Sequence, residues 1–81
     1  MALHKILVDV MLKPEILDPQ GQAVANALPT LGFSAESLRI GRHVELSLEA
    51  PDETAALEQA TKIADVLLAN PVIEDYALRL A

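Results

Sequence analysis

The stretch RHVELSLE, residues 42–49, carries the plainest structural signal in this sequence. Apolar and polar side chains alternate along it, and a repeat of two residues is typical of a β-strand with one buried face. The apolar positions are Val44, Leu46 and Leu48. A half-buried strand needs neighbouring strands and a covering layer, so the segments around it decide the fold.

The segment that follows this strand reads as a helix. Residues 53–69 place apolar side chains at helical spacing, Asp52 is a good N-cap, and Asn70 with Pro71 ends the pattern. The side expected to face the core is formed by Leu57, Ala60, Ile63, Ala64 and Leu67. Residues 72–80 then read as a last strand.

The first part of the chain predicts a strand and a helix as well. Residues 3–12 alternate, with Ile6, Val8, Val10 and Leu12 on one face and Lys5, Leu7, Asp9 and Met11 on the other. Residues 22–31 have helical spacing, and Asp18-Pro19 provides the start of the helix. Pro29 predicts a kink or an early end, and Gly32 a C-terminal stop.

We predict a further short strand over residues 37–41, joined to the strand at 42–49 through a tight turn or bulge at Gly41-Arg42. The order is then βαββαβ in one domain, residues 1–81. This is an α+β fold, with a four-stranded antiparallel sheet and both helices on one face. The open face carries Leu7 and Met11, so we expect a dimer that associates through the sheet and covers them.

The composition favours a small domain that depends on other chains. The sequence has 81 residues, of which 52% are hydrophobic and only 2% aromatic. A domain of this length buries only about 60–65% of its unfolded surface, so some apolar surface should remain outside for an interface. Because Phe33 and Tyr76 are its only aromatic residues, the core must consist of Leu, Ile, Val and Ala.

Charge and composition argue against several classes of partner, site and cellular location. Twelve acidic residues against six basic ones give a net charge of −6, which disfavours nucleic acid and anionic membrane surfaces. No segment approaches the roughly 18 apolar residues of a membrane span, and the first residues lack a signal-peptide pattern. Without cysteine, disulfides and thiol catalysis are excluded. We expect a cytoplasmic protein.

Motifs for catalysis, cofactors or metals are not found. His4 and His43 lie in predicted strands, outside any nucleophile motif. The acidic pairs are adjacent in sequence and lack metal-ligand spacing, and the three glycines form no phosphate-binding motif. We expect no catalytic residue, no cofactor and no metal in this chain.

Three short stretches allow either a structural or an interface role. In LDPQG, residues 17–21, the helix start explains Asp18 and Pro19 but not Gly21, since glycine is unfavourable in a helix by up to about 1 kcal/mol relative to Ala. A close approach by another backbone would explain it. Arg39 and Arg42 flank Gly41, and Tyr76 follows two acidic residues. These residues are either interface anchors or a surface ion pair and a core tyrosine.

Three stretches in this order resemble the PurS family, the small subunit of phosphoribosylformylglycinamidine synthase. They are LDPQG at 17–21, RIG at 39–41, and Asn70 with VIEDY at 72–76, within a match that runs over residues 8–80. The chain departs from the usual family pattern at Arg42-His43, where relatives have lysine and an aromatic residue, and at Pro29.

The resemblance implies a dimeric, non-catalytic subunit of a purine-biosynthesis ligase. In that family an ATP-dependent synthetase subunit forms formylglycinamidine ribonucleotide, a glutaminase subunit supplies ammonia, and the small subunit bridges the two and supports ammonia transfer. The candidate partner contacts are Asp18, Gln20, Gly21, Arg39, Gly41, Arg42, Asn70, Glu74, Asp75 and Tyr76. Leu7 and Met11 are the candidates for self-association. The alternative is a ferredoxin-like regulatory domain that senses a small molecule.

Overall fold

A computed structural model describes the whole chain, Met1–Ala81. The elements in chain order are β1 (Ala2–Leu12), α1 (Pro19–Ala27), a 3-10 turn (Pro29–Leu31), β2 (Gly41–Ala50), α2 (Glu53–Ile63), a π-helical turn (Ala64–Leu68) and β3 (Glu74–Leu80). None of its helices has the length and apolar character that a membrane span requires.

β1 is the central strand of a three-stranded antiparallel sheet with the order β2-β1-β3. Ile6, Val8 and Val10 on its inner face are at most 1% exposed, whereas no residue between them is fully buried. The alternation predicted for this strand is therefore confirmed. β3 begins at Glu74, two residues later than the sequence predicts.

α2 covers the inner face of the sheet and contacts all three strands. Its buried positions are Ala56 and Ala60, and the buried Ala64 follows at the start of the π-helical turn. These small side chains let the helix lie close to the sheet. Asp52 is confirmed as the N-cap, since its carboxylate accepts a hydrogen bond from the Ala55 N–H at 2.8 Å.

The end of this helix differs from the prediction. The Ala69 N–H donates to the Ala64 carbonyl at 2.9 Å, five residues back, which makes the last turn π-helical. The wider turn changes which side chains face the sheet. Leu67, predicted to face the core, is 77% exposed.

The predicted strand at residues 37–41 does not exist, and the sheet has three strands instead of four. Gly41 is the first residue of β2 and pairs with Met11, so Gly41-Arg42 is not a hairpin turn. The physical reason is the hydrogen bonding just before β2. The Ile40 N–H donates to the Asp18 carboxylate at 2.7 Å, so it is not available to a neighbouring strand.

The two helices also do not share one face of the sheet. α1 buries only Gly21, and the 3-10 turn buries no residue. As predicted, Pro29 stops the α-helix early, and Gly32 ends the turn in the left-handed conformation with φ of 87°. We call residues 19–33, which hold α1 and the 3-10 turn, the arm.

The molecule has an extended shape. The radius of gyration is 16.1 Å, and the longest dimension is 52 Å. A compact chain of this length would have a radius of gyration of about 12 Å. Val24, Leu31 and Phe33 in the arm are 42%, 68% and 64% exposed, which confirms the expectation of unburied apolar surface.

The outer face of the sheet is more polar than a core. Asp9 hydrogen-bonds with the Nδ1 of His43 at 2.6 Å and accepts a second bond from Arg79, and these two contacts hold the pKa of Asp9 below its usual value. Lys5 and Glu45 form an ion pair at 3.5 Å. An ordered row of charged side chains therefore crosses all three strands.

Leu7 and Met11 lie on this same face. Leu7 is partly buried between its neighbours, and Met11 is 38% exposed. Along β1 they alternate on this face with the charged side chains of Lys5 and Asp9.

Candidate functional site

The three stretches that stand out in the sequence meet at one end of the sheet. The start of α1, the start of β2 and the start of β3 surround a shallow cavity of about 220 Å³. Its polar lining comes from Asp18, Gln20, Arg42 and Glu74. We call this region the strand-end site.

Asp18 holds the helix start against the chain before β2. It is 6% exposed, and its two carboxylate oxygens accept hydrogen bonds from the N–H groups of Gly21 at 3.0 Å and Ile40 at 2.7 Å. These backbone donors lower the pKa of the Asp18 carboxyl from its usual value, because they stabilise the charged form. Asp18 is thus an N-cap and also a link between segments far apart in sequence.

Gly21 permits this link. A Cβ atom there would overlap the Asp18 carboxylate and would lie 2.9 Å from the backbone carbonyl of Leu38. The sequence left open whether a helix start alone explains this residue or whether another backbone approaches it. Within this chain, the approaching backbone is the segment that leads into β2.

Arg42 joins β2 to the end of the second helical segment. Its guanidinium donates to both oxygens of Glu74, at 3.0 and 3.2 Å, and to the Leu68 carbonyl at 2.6 Å. A cation at this position satisfies a carbonyl that the helix end leaves free and opposes the negative end of the helix dipole. A lysine at this position could not form the same planar, two-pronged contact with a carboxylate.

Glu74 completes the connection to β3. Its side chain is 11% exposed and accepts a hydrogen bond from the Asn70 N–H at 2.7 Å, besides the contacts from Arg42. The Asn70 N–H and the Arg42 guanidinium lower the pKa of Glu74. The Asn70 side chain in turn accepts from the Val72 N–H at 3.1 Å, which fixes the turn before β3.

Arg39 and Asp75 hold the loop that follows β1. Arg39 donates to the carbonyls of Lys13 and Ile16, at 3.0 and 2.9 Å. The Lys13 ammonium bonds to Asp75 at 2.8 Å, and this carboxylate raises the pKa of Lys13. No pattern in the sequence pointed to Lys13 as a residue of this site, because its role depends on Asp75, 62 positions away.

The site is held by hydrogen bonds and ion pairs. No buried side-chain nitrogen or oxygen lacks a hydrogen-bond partner. No group of three or more His, Cys, Asp or Glu side chains is placed to hold a metal ion. The arrangement therefore fixes a surface in shape and charge.

Eight of the ten candidate contact residues fall into two groups at this site. Asp18, Gly21 and Glu74 are internal or nearly so, and the structure gives them roles within the chain. The side chains that reach solvent are those of Gln20, Arg39, Arg42, Asn70 and Asp75. The other two are Gly41, which is exposed and where a Cβ atom would overlap the Met11 side chain and the Val10 carbonyl, and Tyr76. Tyr76 is partly buried on the inner face of β3 and packs against the core.

Comparisons with known proteins agree over nearly the whole chain. A family profile described as PurS, phosphoribosylformylglycinamidine (FGAM) synthase, matches residues 5–81. The PurS subunit of Mycobacterium leprae is 47% identical over 94% of both chains. That of Synechocystis is 49% identical over 88% of this chain and 72% of its own length.

Solved structures show the same fold. The purS subunit of Thermotoga maritima has a TM-score of 0.93 and 32% identity, covering 99% of this chain and 93% of that one. A chain in the structure of PurLQS from the same organism gives 0.93 and 33%, with full coverage of both. Because profile, relatives and structures agree from β1 to β3, this chain belongs to the PurS family.

Proposed function

We propose that this chain is the small, non-catalytic subunit of phosphoribosylformylglycinamidine synthase in purine biosynthesis. In this role it joins an ATP-dependent synthetase subunit to a glutaminase subunit and supports the passage of ammonia between them. The observation that carries the proposal is the full-length match, at a TM-score of 0.93, to a chain in the Thermotoga maritima PurLQS structure.

The strand-end site supports a bridging role. Its internal hydrogen bonds fix three chain segments, so exposed groups such as Gln20, Arg39 and Asn70 occupy defined positions. Preorganised side chains lose less conformational entropy when a partner binds. We propose that this surface contacts the partner subunits.

The arm supports an assembly in another way. Its exposed apolar side chains lie beyond the sheet, and nothing in this chain covers them. The proposed assembly also includes a homodimer formed through the sheet, with Leu7 and Met11 as the first candidates for self-association. It acts in the cytoplasm and requires neither a cofactor nor a metal in this chain.

The regulatory-domain alternative is not favoured. The relatives and structures that match are PurS subunits. In addition, the charged groups around the strand-end cavity are already bonded to one another and to backbone groups.

A matched pair of variants tests the partner surface. Gln20→Lys changes an exposed side chain of the strand-end site that makes no hydrogen bond within the chain, and Gln22→Lys makes the same change two residues further along α1. We expect Gln20→Lys to weaken binding to the synthetase and glutaminase subunits about tenfold, as a misplaced charge at a desolvated contact would. Gln22→Lys should bind as the wild type does.

Titration of both variants by calorimetry or light scattering, with the partner subunits of the same organism, gives the comparison. Equal affinity of the two variants would remove the strand-end site from the proposed interface. Failure of the wild-type chain to bind either partner would contradict the proposed function itself.

A further inference from the structure

Hydrogen bonds connect the arm to the rest of the chain through a single residue, Asp18. The Asp18 backbone carbonyl accepts from the Gln22 N–H at 2.9 Å, and one carboxylate oxygen accepts from the Gly21 N–H at 3.0 Å. The second carboxylate oxygen accepts from the Ile40 N–H at 2.7 Å, just before β2. Asp18 is therefore the only hydrogen-bonded link between the arm and the start of β2.

The arm has no charged side chain with which to attach itself elsewhere. Charged residues make up 22% of the sequence, yet none occurs from Pro19 to Ala35. Burial adds little further support, since α1 buries only Gly21 and the 3-10 turn buries no residue. The orientation of the arm relative to the sheet therefore depends on the bonds of Asp18.

Within the arm the backbone forms one continuous helical unit. The 3-10 turn follows α1 after a single residue, and the N–H groups of Leu31 and Phe33 both donate to the Leu28 carbonyl at 3.0 Å. The Gly32 N–H donates to the Pro29 carbonyl at 3.1 Å. All of these bonds lie inside the arm, so a change in its orientation breaks none of them.

The chain on both sides of the arm is free to bend. Residues 34–37 are exposed, belong to no helix or strand and form no hydrogen bond, and Leu17 on the other side is 71% exposed and equally unbonded. Beyond these residues the chain is fixed again, since Arg39 donates to the carbonyls of Lys13 and Ile16. Domain and segment motions are absorbed by a few such loop residues, which act as hinges.

The Asp18 carboxylate accepts two bonds that a neutral side chain of the same size cannot accept together. Asparagine has one acceptor oxygen, and its NH₂ group only donates. Asparagine is nevertheless about as good an N-cap as aspartate. At position 18 it can therefore start α1, but it cannot also hold the Ile40 N–H.

We propose that the arm turns as a rigid unit on two hinges, Leu17 and residues 34–37, and that the Asp18 carboxylate holds it in one orientation. This bond decides where the exposed apolar side chains of the arm are presented. A binding partner that takes up the arm in another orientation has to break one hydrogen bond, to the Ile40 N–H, and no helix. The inference goes beyond the proposed function, because it concerns a movement within one chain.

Distances between spin labels measure the orientation of the arm directly, since the chain has no cysteine of its own. One label is attached to Asn26→Cys in α1 and the other to Ala77→Cys in β3, both at exposed positions. Dilution with excess unlabelled chain restricts pulsed electron–electron double resonance to distances within one chain. Carbon chemical shifts of residues 19–27, measured by NMR, show whether α1 stays helical.

Asp18→Asn removes the second acceptor and keeps the N-cap, and Asp18→Ser repeats the test with a shorter N-cap. Asp52→Asn is the matched control, because Asp52 caps α2 through a single bond, from the Ala55 N–H. We expect one narrow distance distribution in the wild type and in Asp52→Asn. Both Asp18 variants should give a distribution roughly two- to threefold wider, with α1 still helical, because the hinges are then free.

That pattern of widths and chemical shifts supports the proposal. A wide distribution in the wild type, or Asp18 variants as narrow as the wild type, would overturn it. Loss of the helical shifts in both Asp18 variants would contradict a rigid unit, and equal broadening in Asp52→Asn would contradict the role given to Asp18. None of these outcomes decides whether the partner subunits bind, which the Gln20 and Gln22 variants measure separately.

Discussion

Single residues at the strand-end site have roles that only the folded chain explains. Asp18 follows the sequence prediction of an N-cap, but its second oxygen binds the Ile40 N–H, which no local pattern indicates. From the sequence, the reason for a glycine at position 21 was open, because glycine is unfavourable in a helix. The structure explains it through the carbonyl of Leu38, 17 positions away in the chain.

Gly21→Ala tests this explanation. The added methyl group overlaps the Asp18 carboxylate and approaches the Leu38 carbonyl, so the chain must shift. Despite the better helix propensity of alanine, we expect a loss of about 1–3 kcal/mol in the free energy of unfolding. Urea denaturation gives the value, and the neighbouring Gln22→Ala is the control. A more stable Gly21→Ala protein would contradict the close approach.

Acid should loosen the strand-end site. The pKa values of Asp18 and Glu74 are lowered in the folded chain from ordinary values of 3.8 and 4.5. The folded state binds these two protons less readily than the unfolded chain does. The stability that the two carboxylates add is therefore fully present above their ordinary pKa values, and it is lost as the pH falls through their lowered pKa values in the folded chain. Thermal melting between pH 7 and pH 2.5 should therefore show a loss of stability that begins near the ordinary values. Asp18→Asn should reduce this acid-dependent loss, and an unchanged profile in that variant would contradict the assignment.

Among the elements, the sequence predicted those with strong periodicity. The prediction was wrong where a backbone group bonds to a side chain instead of to a neighbouring strand. β1, β2 and α2 follow from alternation, helical spacing and the Asp52 cap. The strand predicted at 37–41 failed because its backbone bonds to a carboxylate 22 positions away. The π-helical turn has no local signal and moved Leu67 out of the core.

Ala60→Leu tests the packing of α2 on the sheet. Ala60 is fully buried at the centre of the alanine stripe, and a leucine side chain there would push the helix away from β1. We expect the variant to lose about 1–3 kcal/mol, or roughly 4–20 °C in melting temperature. Glu58→Leu, an exposed position on the same helix, should have little effect on stability. Equal melting temperatures for Ala60→Leu and wild type would contradict the close approach of α2.

Arg42→Lys tests the link between α2 and β3. Lysine keeps the positive charge but cannot donate to Glu74 and to the Leu68 carbonyl in the same geometry. Because the pair is partly exposed, we expect a loss of only about 1 kcal/mol, measured by urea denaturation. Arg79→Lys, which alters an ion pair on the outer face, is the comparison. A gain in stability for Arg42→Lys would contradict the proposed capping of the helix end.

The whole molecule is extended and buries few of its own residues. Only 10 of 81 residues are buried, and the apolar side chains of the arm are exposed. The sequence predicted this excess of apolar surface from composition. It could not predict where that surface lies, because the position of the arm depends on the contacts of Asp18 and Gly21.

The extended shape and the exposed apolar side chains support a chain that presents surfaces to other chains. The most direct test compares two activities of the reconstituted synthetase and glutaminase, with and without this chain. One assay forms formylglycinamidine ribonucleotide from glutamine, and the other from added ammonia. We predict that omitting the chain abolishes the glutamine-driven rate and leaves most of the ammonia-driven rate. A glutamine-driven rate that is equal with and without the chain would contradict the account.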